Sequence, residues 1–336
     1  MYDIITFGSA SRDIFLKPKS SKVVKGKSFI TGKGVCFNLG SKIEVEDMFL
    51  SSGGGGTNSA ATFTKQGLKT AYCGKVGDDL AGEEIIDELK KLKIDTNLIS
   101  KTNAKPTNHS VVLSGMDTDR TIFVFRGASE LLCGCDIPWD KLKTKWFYLA
   151  PLSGEVCNIS KDLIDFASRR KIKVAFNPGN SQLCLSMSVL KDILKRVDIL
   201  ILNQEEASLL TGIPYKEEVS LFKKIDELCP GISIMTKGSR GVVVSDGKHL
   251  YRALPTESKI VDRTGAGDSF GAGFVSGFLQ SEGDIEYAIQ LGTANSSSCL
   301  SKWGAKEGLL KKGEKFKKTT VEKESCLKNN FCQIKK

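Results

Sequence analysis

Asp262-Arg263-Thr264-Gly265-Ala266-Gly267-Asp268-Ser269-Phe270 carries the most specific chemistry in the chain. The apolar run Lys259-Ile260-Val261-Asp262 leading into it reads as a strand, and the small-residue run Phe270-Gly271-Ala272-Gly273-Phe274-Val275 after it reads as a helix. Backbone N–H groups at a helix N-terminus bind anions, and glycines let a phosphate reach them. Asp268 then has two readings: a helix-start residue, the usual role of Asp there, or a carboxylate that takes a proton from an attacking hydroxyl. Two other phosphate motifs fail on spacing. Phe270 stands where a dinucleotide fingerprint needs its third glycine, far from the first strand, which disfavours a dehydrogenase. No G-x-x-x-x-G-K-S/T occurs, because Gly26-Lys27-Ser28 has Ser21 where that motif needs its first glycine.

A second cluster, Gly53-Gly54-Gly55-Gly56-Thr57-Asn58, lies near the other end of the chain. Each glycine inside a regular element costs roughly 0.5–1 kcal/mol of stability, so four in a row suit a place where the backbone bends or approaches a ligand. An ordinary flexible loop is an equal reading of this cluster alone.

Around these anchors, strands and helices alternate. A strand at Ile4, Ile5 and Phe7 ends at Gly8; a helix follows Gly56; then come a strand at Ala71–Val76, a helix at Leu80–Leu92, and strands at Trp146–Leu149, Lys173–Phe176 and Asp198–Leu202. Helices starting at Ala266 and Ile285 close the series. Such alternation predicts a mainly parallel sheet with helices on both faces. Two hairpin-rich stretches stand apart. Residues from about Phe15 to Leu50 include Ser28-Phe29-Ile30-Thr31 and Lys42-Ile43-Glu44-Val45-Glu46, and His109–Leu113 with Thr121–Phe125 flank the turn Gly115–Asp119. Together they predict a small separate β-sheet.

Composition narrows the class. A chain of 336 residues with 40% hydrophobic content can bury a large core. No run approaches the roughly 18 apolar residues of a membrane span, and the N-terminus lacks a signal peptide's charged region, so no membrane partner and a cytoplasmic location are expected. Ten cysteines scattered over a long chain read as reduced thiols, and Cys133 and Cys135 with only His109 and His249 make a poor zinc set. The net charge of +10 is concentrated at one end: residues 311–336 hold nine lysines and three glutamates, leaving +4 for the rest. That end reads as a basic, frayed tail with no aromatic interleaving, so no nucleic-acid partner is expected.

The Asp262–Phe270 stretch resembles the D-x-x-G-A-G-D-x-F signature of the ribokinase-like (PfkB) kinases. Asp13 after the first strand, Gly53-Gly54 with Asn58, Asn203-Gln204-Glu205-Glu206 as N-x-x-E, and Thr236-Lys237-Gly238-Ser239-Arg240-Gly241 as T-x-G-x-x-G follow in the family's order. The resemblance implies a three-layer α/β/α domain over residues 1–310, with a β-sheet lid from about 13–50 and 107–127 and the tail outside it. It implies an ATP-dependent phosphotransferase acting on a hydroxyl of a small sugar. Asp268 would be the base and Gly265, Ala266 and Gly267 the anion hole. Asp13, Gly53, Gly54 and Asn58 would hold the acceptor. Asn203, Glu206, Thr236, Gly238 and Gly241 would serve ATP and Mg²⁺, and Asp262 and the Thr264 carbonyl, with the loop around Cys299 to Gly304, a monovalent cation such as K⁺. A homodimer through the lid is one arrangement to expect.

The substrate is where this chain departs from the family. Gly55 replaces the lysine of the ribokinase G-G-K-G-x-N, Ser11 stands two before Asp13 where a sugar-binding Asn is usual, and Leu149-Ala150-Pro151-Leu152 lacks an acid ribokinases place there. Fructose or a nucleoside therefore competes with ribose, and Phe123 and Phe125 are either base-stacking residues or lid core. A non-catalytic sugar or nucleotide sensor on the same fold is the rival of a different class, which the intact Asp268 and N-x-x-E oppose.

Overall fold

The computed structural model describes residues 1–26, 32–116, 119–154, 159–256 and 259–326. In chain order the elements are β1 (Tyr2–Phe7), β2 (Ser11–Pro18), β3 (Lys22–Lys25), β4 (Lys33–Cys36), β5 (Val45–Gly53), α1 (Gly55–Lys65), β6 (Thr70–Gly77), α2 (Leu80–Lys91), β7 (Asp95–Thr102), β8 (Asn108–Met116) and β9 (Asp119–Phe125). Then follow β10 (Thr144–Leu149), α3 (Ile159–Arg170), β11 (Lys173–Phe176), α4 (Asn180–Leu183), α5 (Met187–Leu194), β12 (Ile199–Asn203), α6 (Gln204–Thr211), α7 (Glu218–Leu228) and β13 (Ile232–Thr236). The last are β14 (Val242–Ser245), β15 (His249–Ala253), α8 (Ala266–Gln280), α9 (Ile285–Leu300) and β16 (Val321–Ser325).

Strands mostly apolar on both faces, with polar β16 and β7 at the edges, build the central sheet, whose order is β16-β15-β14-β13-β12-β11-β10-β1-β6-β7. From β7 to β13 neighbours run parallel, and from β13 to β16 antiparallel. Alternation along β10 divides the core: Phe147 and Leu149 pack with residues of α3, α5, α6 and α7, while Trp146 and Tyr148 pack with Phe63 of α1 and with α8 and α9. Three layers result, because both faces of a parallel sheet must be covered. The C-terminal ends of the parallel strands collect on one side, where open α/β sheets bind ligands.

The two hairpin stretches form a second sheet of order β5-β2-β8-β9, in which β2 pairs antiparallel with β5 and parallel with β8. β3 and β4 make a separate hairpin. The expected Ser28–Thr31 strand and part of the Gly115–Asp119 turn lie outside the described residues.

Four expectations are corrected. Lys259–Asp262 is no strand: the described part is a loop held by Val261 N and Asp262 N on the carbonyl of Leu300, at 2.8 and 3.3 Å, with Ile260 exposed. The end of the chain is not frayed from residue 311. Lys312 N donates to Lys65 O, Phe316 packs on Tyr287, and β16 pairs residue by residue with β15. Nor are all cysteines reduced, since Cys133 and Cys135 form a disulfide with their Cα atoms 5.3 Å apart across a short 3-10 turn. Cys326 is disulfide-bonded as well. Among the described residues Cys133, Cys135 and Asp136 have metal-ligand spacing, but both sulfurs are spent on that bond. Phe123 and Phe125 are not lid core: they are 59% and 49% exposed.

Candidate active site

Asn203 ends β12 directly beside Thr236 at the end of β13. Its side chain accepts from Glu206 N at 2.8 Å while the Glu206 carboxylate accepts from Asn203 N at 2.8 Å, a reciprocal cap on the start of α6. This carboxylate is pushed up to about 7, chiefly by desolvation in the groove, with Asp268 and Glu205 adding repulsion. Gly238 and Gly241 both take positive φ and turn the segment after Thr236 into a compact loop closed by Lys237 N on Gly241 O.

At the start of α8, Gly265 is the helix cap in the left-handed conformation, φ 73°, with the Ala305 side chain against it. The first amides of a helix have no partner within it, so Ala266, Gly267 and Asp268 present N–H groups at the positive end of the dipole. Around Gly267 the space is open. Asp268 therefore belongs to the helix's first turn and does not cap it. Its carboxylate accepts from Asn58 Nδ2 at 2.8 Å. The residue keeps part of its surface open, but protein crowds the carboxyl group itself, and this desolvation raises its pKa against the opposing pull of Asn58 and Lys306.

The other half of the site comes from the second sheet. Asp13 lies within β2, past the first strand, where it is buried and accepts from Ser11 Oγ at 2.8 Å; burial raises its pKa too. Gly53 is required here, because a Cβ would fall 1.9 Å from Asp13 Oδ2. Gly54, at φ 96°, passes so close to Ser9 that a Cβ would lie 2.4 Å from its carbonyl oxygen. Asn58 reaches Asp268 from α1, and its buried Oδ1 has no partner among the described residues. Gly55 also faces Asp268, since a Cβ there would meet its Oδ1 at 3.3 Å. The structure thus gathers Asp13, Gly53, Gly54, Asn58 and Asp268 at one place, with the Asn203–Glu206 and Thr236–Gly241 loops at the adjoining strand ends.

Asp262 has a different setting. One of its oxygens accepts from Thr264 N and Oγ1 at 3.0 and 2.9 Å and the other from Gly304 N at 3.1 Å, so it fixes the loop before α8.

The profile of the pfkB family of carbohydrate kinases matches residues 23–312. The chain belongs to this family. As a pfkB-family member it is an ATP-dependent kinase of the sugar and nucleoside kinase group. It is 26% identical to a ribokinase of Staphylococcus aureus over 276 residues, covering 80% of this chain and 89% of that one. It is also 26% identical to a cytidine kinase of Thermococcus kodakarensis over 255 residues, covering 75% and 88%. Among solved structures it is similar to Arabidopsis thaliana ribokinase complexed with ribose and ATP, with a TM-score of 0.74, 21% identity, and coverage of 92% and 96%.

Sequence reasoning missed a buried cation whose charge acts on both Asp13 and Asp268. Lys306 is 3% exposed, and its ammonium donates to Ser52 O at 2.9 Å and to Ser52 Oγ, with Glu88 Oε1 at 3.6 Å. No local pattern marks it, because its partners lie more than two hundred residues away in the chain.

Proposed function

We propose that this kinase transfers the γ-phosphoryl group of ATP to a hydroxyl of a small unphosphorylated sugar, with Asp268 as general base. The observation that carries the reading is the Asp268 carboxylate: it stands in the first turn of α8, beside the anion-binding amides, and touches Asn58 of the acceptor side. The acceptor proton passes to Asp268, the acceptor oxygen bonds the γ-phosphorus, and the bond to the β-bridging oxygen breaks to release ADP. Such transfer relies on positioning and charge stabilisation, which the Gly265–Gly267 turn would supply.

Asp13 and the unpartnered Asn58 Oδ1 would bind acceptor hydroxyls. Asn203 and Glu206 would order Mg²⁺ through water; their hard oxygen donors, and a carboxylate left at about 7 by desolvation, suit a divalent cation there. Bound Mg²⁺ would neutralise developing phosphate charge. The same reading gives K⁺ the Thr264 carbonyl and what remains of Asp262, and K⁺ should then outperform a large organic cation at equal ionic strength.

A neutral acceptor is favoured because two cations near the site, Arg12 and Lys306, are otherwise directed, while Arg126, exposed just past β9, is the first residue to mutate should a phosphosugar prove the better acceptor. Arg12 points away from Asp13 to Glu84 at 3.2 Å, and Lys306 is held by Ser52 and Glu88. A phosphosugar needs converging cations. The nucleoside reading is supported by the similarity to a cytidine kinase. ADP release measured over ribose, fructose, adenosine, cytidine, fructose 6-phosphate, fructose 1-phosphate and tagatose 6-phosphate separates the three. The highest kcat/KM is expected for a neutral sugar, and a value about tenfold higher for any phosphosugar overturns the proposal.

A further inference from the structure

Lys306 sits where three structural parts of the site meet. Gly304, two residues before it, donates to Asp262 and packs on Ser51, where a Cβ would lie 3.1 Å from Ser51 Oγ. Ala305 fills the space left by the missing side chain of Gly265. The Lys306 carbonyl accepts from Lys65 Nζ of α1 at 2.6 Å, while its side chain runs inward to Ser52 of β5. Ser52 in turn donates to Glu88 of α2 at 2.7 Å. The residues flanking this anchor are the ones that shape the acceptor side: Ser51 is opposite Asp13 in the β2–β5 register, and Gly53 abuts the Asp13 carboxylate.

The charges are also paired. Burial pulls the Lys306 pKa down, and the charges of Glu88, Asp13 and Asp268 oppose that pull, Glu88 being in contact at 3.6 Å. A buried cation is retained only with such partners, and removing it leaves them uncompensated.

We propose that Lys306 is a positioning residue for phosphoryl transfer: its buried ammonium clamps Ser52 to the body and so holds the Ser51–Gly53 end of β5 and the Asp13 carboxylate in place for the acceptor. This rests on reading Asp13 and Asp268 as the acceptor-handling groups. It differs from a packing role in requiring charge at one point, and in acting on the acceptor more than on ATP.

Steady-state constants of the full-length protein test it. Lys306→Met, which keeps volume and loses charge, should raise the acceptor KM by about tenfold or more while the ATP KM stays within about twofold. Ethylammonium, but not ethanol, should restore part of the activity of Lys306→Ala. An unchanged acceptor KM in Lys306→Met, or equal rises in both KM values with no amine rescue, overturns the proposal. Should those variants fail to fold, Ser52→Ala removes one of the two bonds to the ammonium; a raised acceptor KM supports the clamp and an unchanged one overturns it. Wild-type protein that releases no ADP with any sugar or nucleoside overturns the phosphotransferase reading. The clamp is then read by amide hydrogen exchange: faster exchange across residues 48–53 in Lys306→Met supports it, and unaltered exchange overturns it.

Discussion

On the reading proposed above, Asp268 concentrates the chemistry and its thermodynamic consequence in a single carboxyl group. Asn at this position keeps the shape and an oxygen for Asn58 but cannot accept the proton, so Asp268→Asn should lower kcat by about 10²- to 10⁴-fold. Nucleotide binding should be preserved. Desolvation raises this carboxyl's pKa, with Asp13 adding to it and Asn58 and Lys306 opposing. A general base at Asp268 would act in its ionised form, so kcat should fall with acid through a pKa above the ordinary aspartate range. Stability moves the other way. A raised folded pKa means the fold prefers the protonated group, so its contribution is greatest in acid and is lost as pH rises from the unfolded pKa through the folded one. Asp268→Asn should therefore melt no lower than wild type at neutral pH, which a thermal scan beside the rate measurement checks. Gly53→Ala is the steric counterpart. Its methyl group would collide with Asp13, and the acceptor KM should rise by roughly tenfold or more while the ATP KM holds.

At the scale of elements, Asn203, Glu206 and Asp268 each occupy the first turn of a helix or the end of a strand. Asn203 and Glu206 cap α6 reciprocally, which alone explains why Asn and Glu stand three apart there. A metal-ordering role requires more: Glu206→Gln should raise the Mg²⁺ concentration for half-maximal rate several-fold and leave the acceptor KM unchanged. A Mg²⁺ titration with the same half-saturation as wild type would leave Glu206 a cap and nothing else. The elements most legible in the sequence were those with periodic apolar patterns and punctuating glycines, such as β11, whose bounds match the expected Lys173–Phe176, and α8 from Ala266. β16 was not legible. Its Val-Glu-Lys-Glu-Ser pattern is that of an exposed edge, charged enough to read as solvated tail, and only its pairing with β15 makes it a strand. Lys259–Asp262 misled in the opposite direction, having apolar residues but no neighbouring strand to pair with. The Gly265–Asp268, Gly53–Asn58 and Asn203–Glu206 groups could be read because each is local. Lys306 could not, since its significance comes from Ser52 and Glu88, which only the folded chain brings to it.

At the scale of the whole molecule, the large sheet carries the proposed nucleotide side and the four-stranded sheet carries Asp13. The small sheet ends at β9, whose Ile122, Phe123, Val124 and Phe125 are all substantially exposed. Consecutive apolar residues on both faces of an open edge strand invite another strand, and a second copy of the same lid offers the matching edge. We expect a homodimer through β9, seen as twice the monomer mass in light scattering and lost in Phe123→Lys; a monomer across the accessible concentration range refutes it. The division into two sheets also bears on the idle enzyme. With ATP in place and no acceptor, Asp268 would meet only water besides Asn58, and the Asp13 side would not grip water as it would the proposed sugar. Correct geometry must then arise by chance, and the nucleotide survives many encounters with solvent. A cell holding this protein without its substrate should lose little of its energy currency to it.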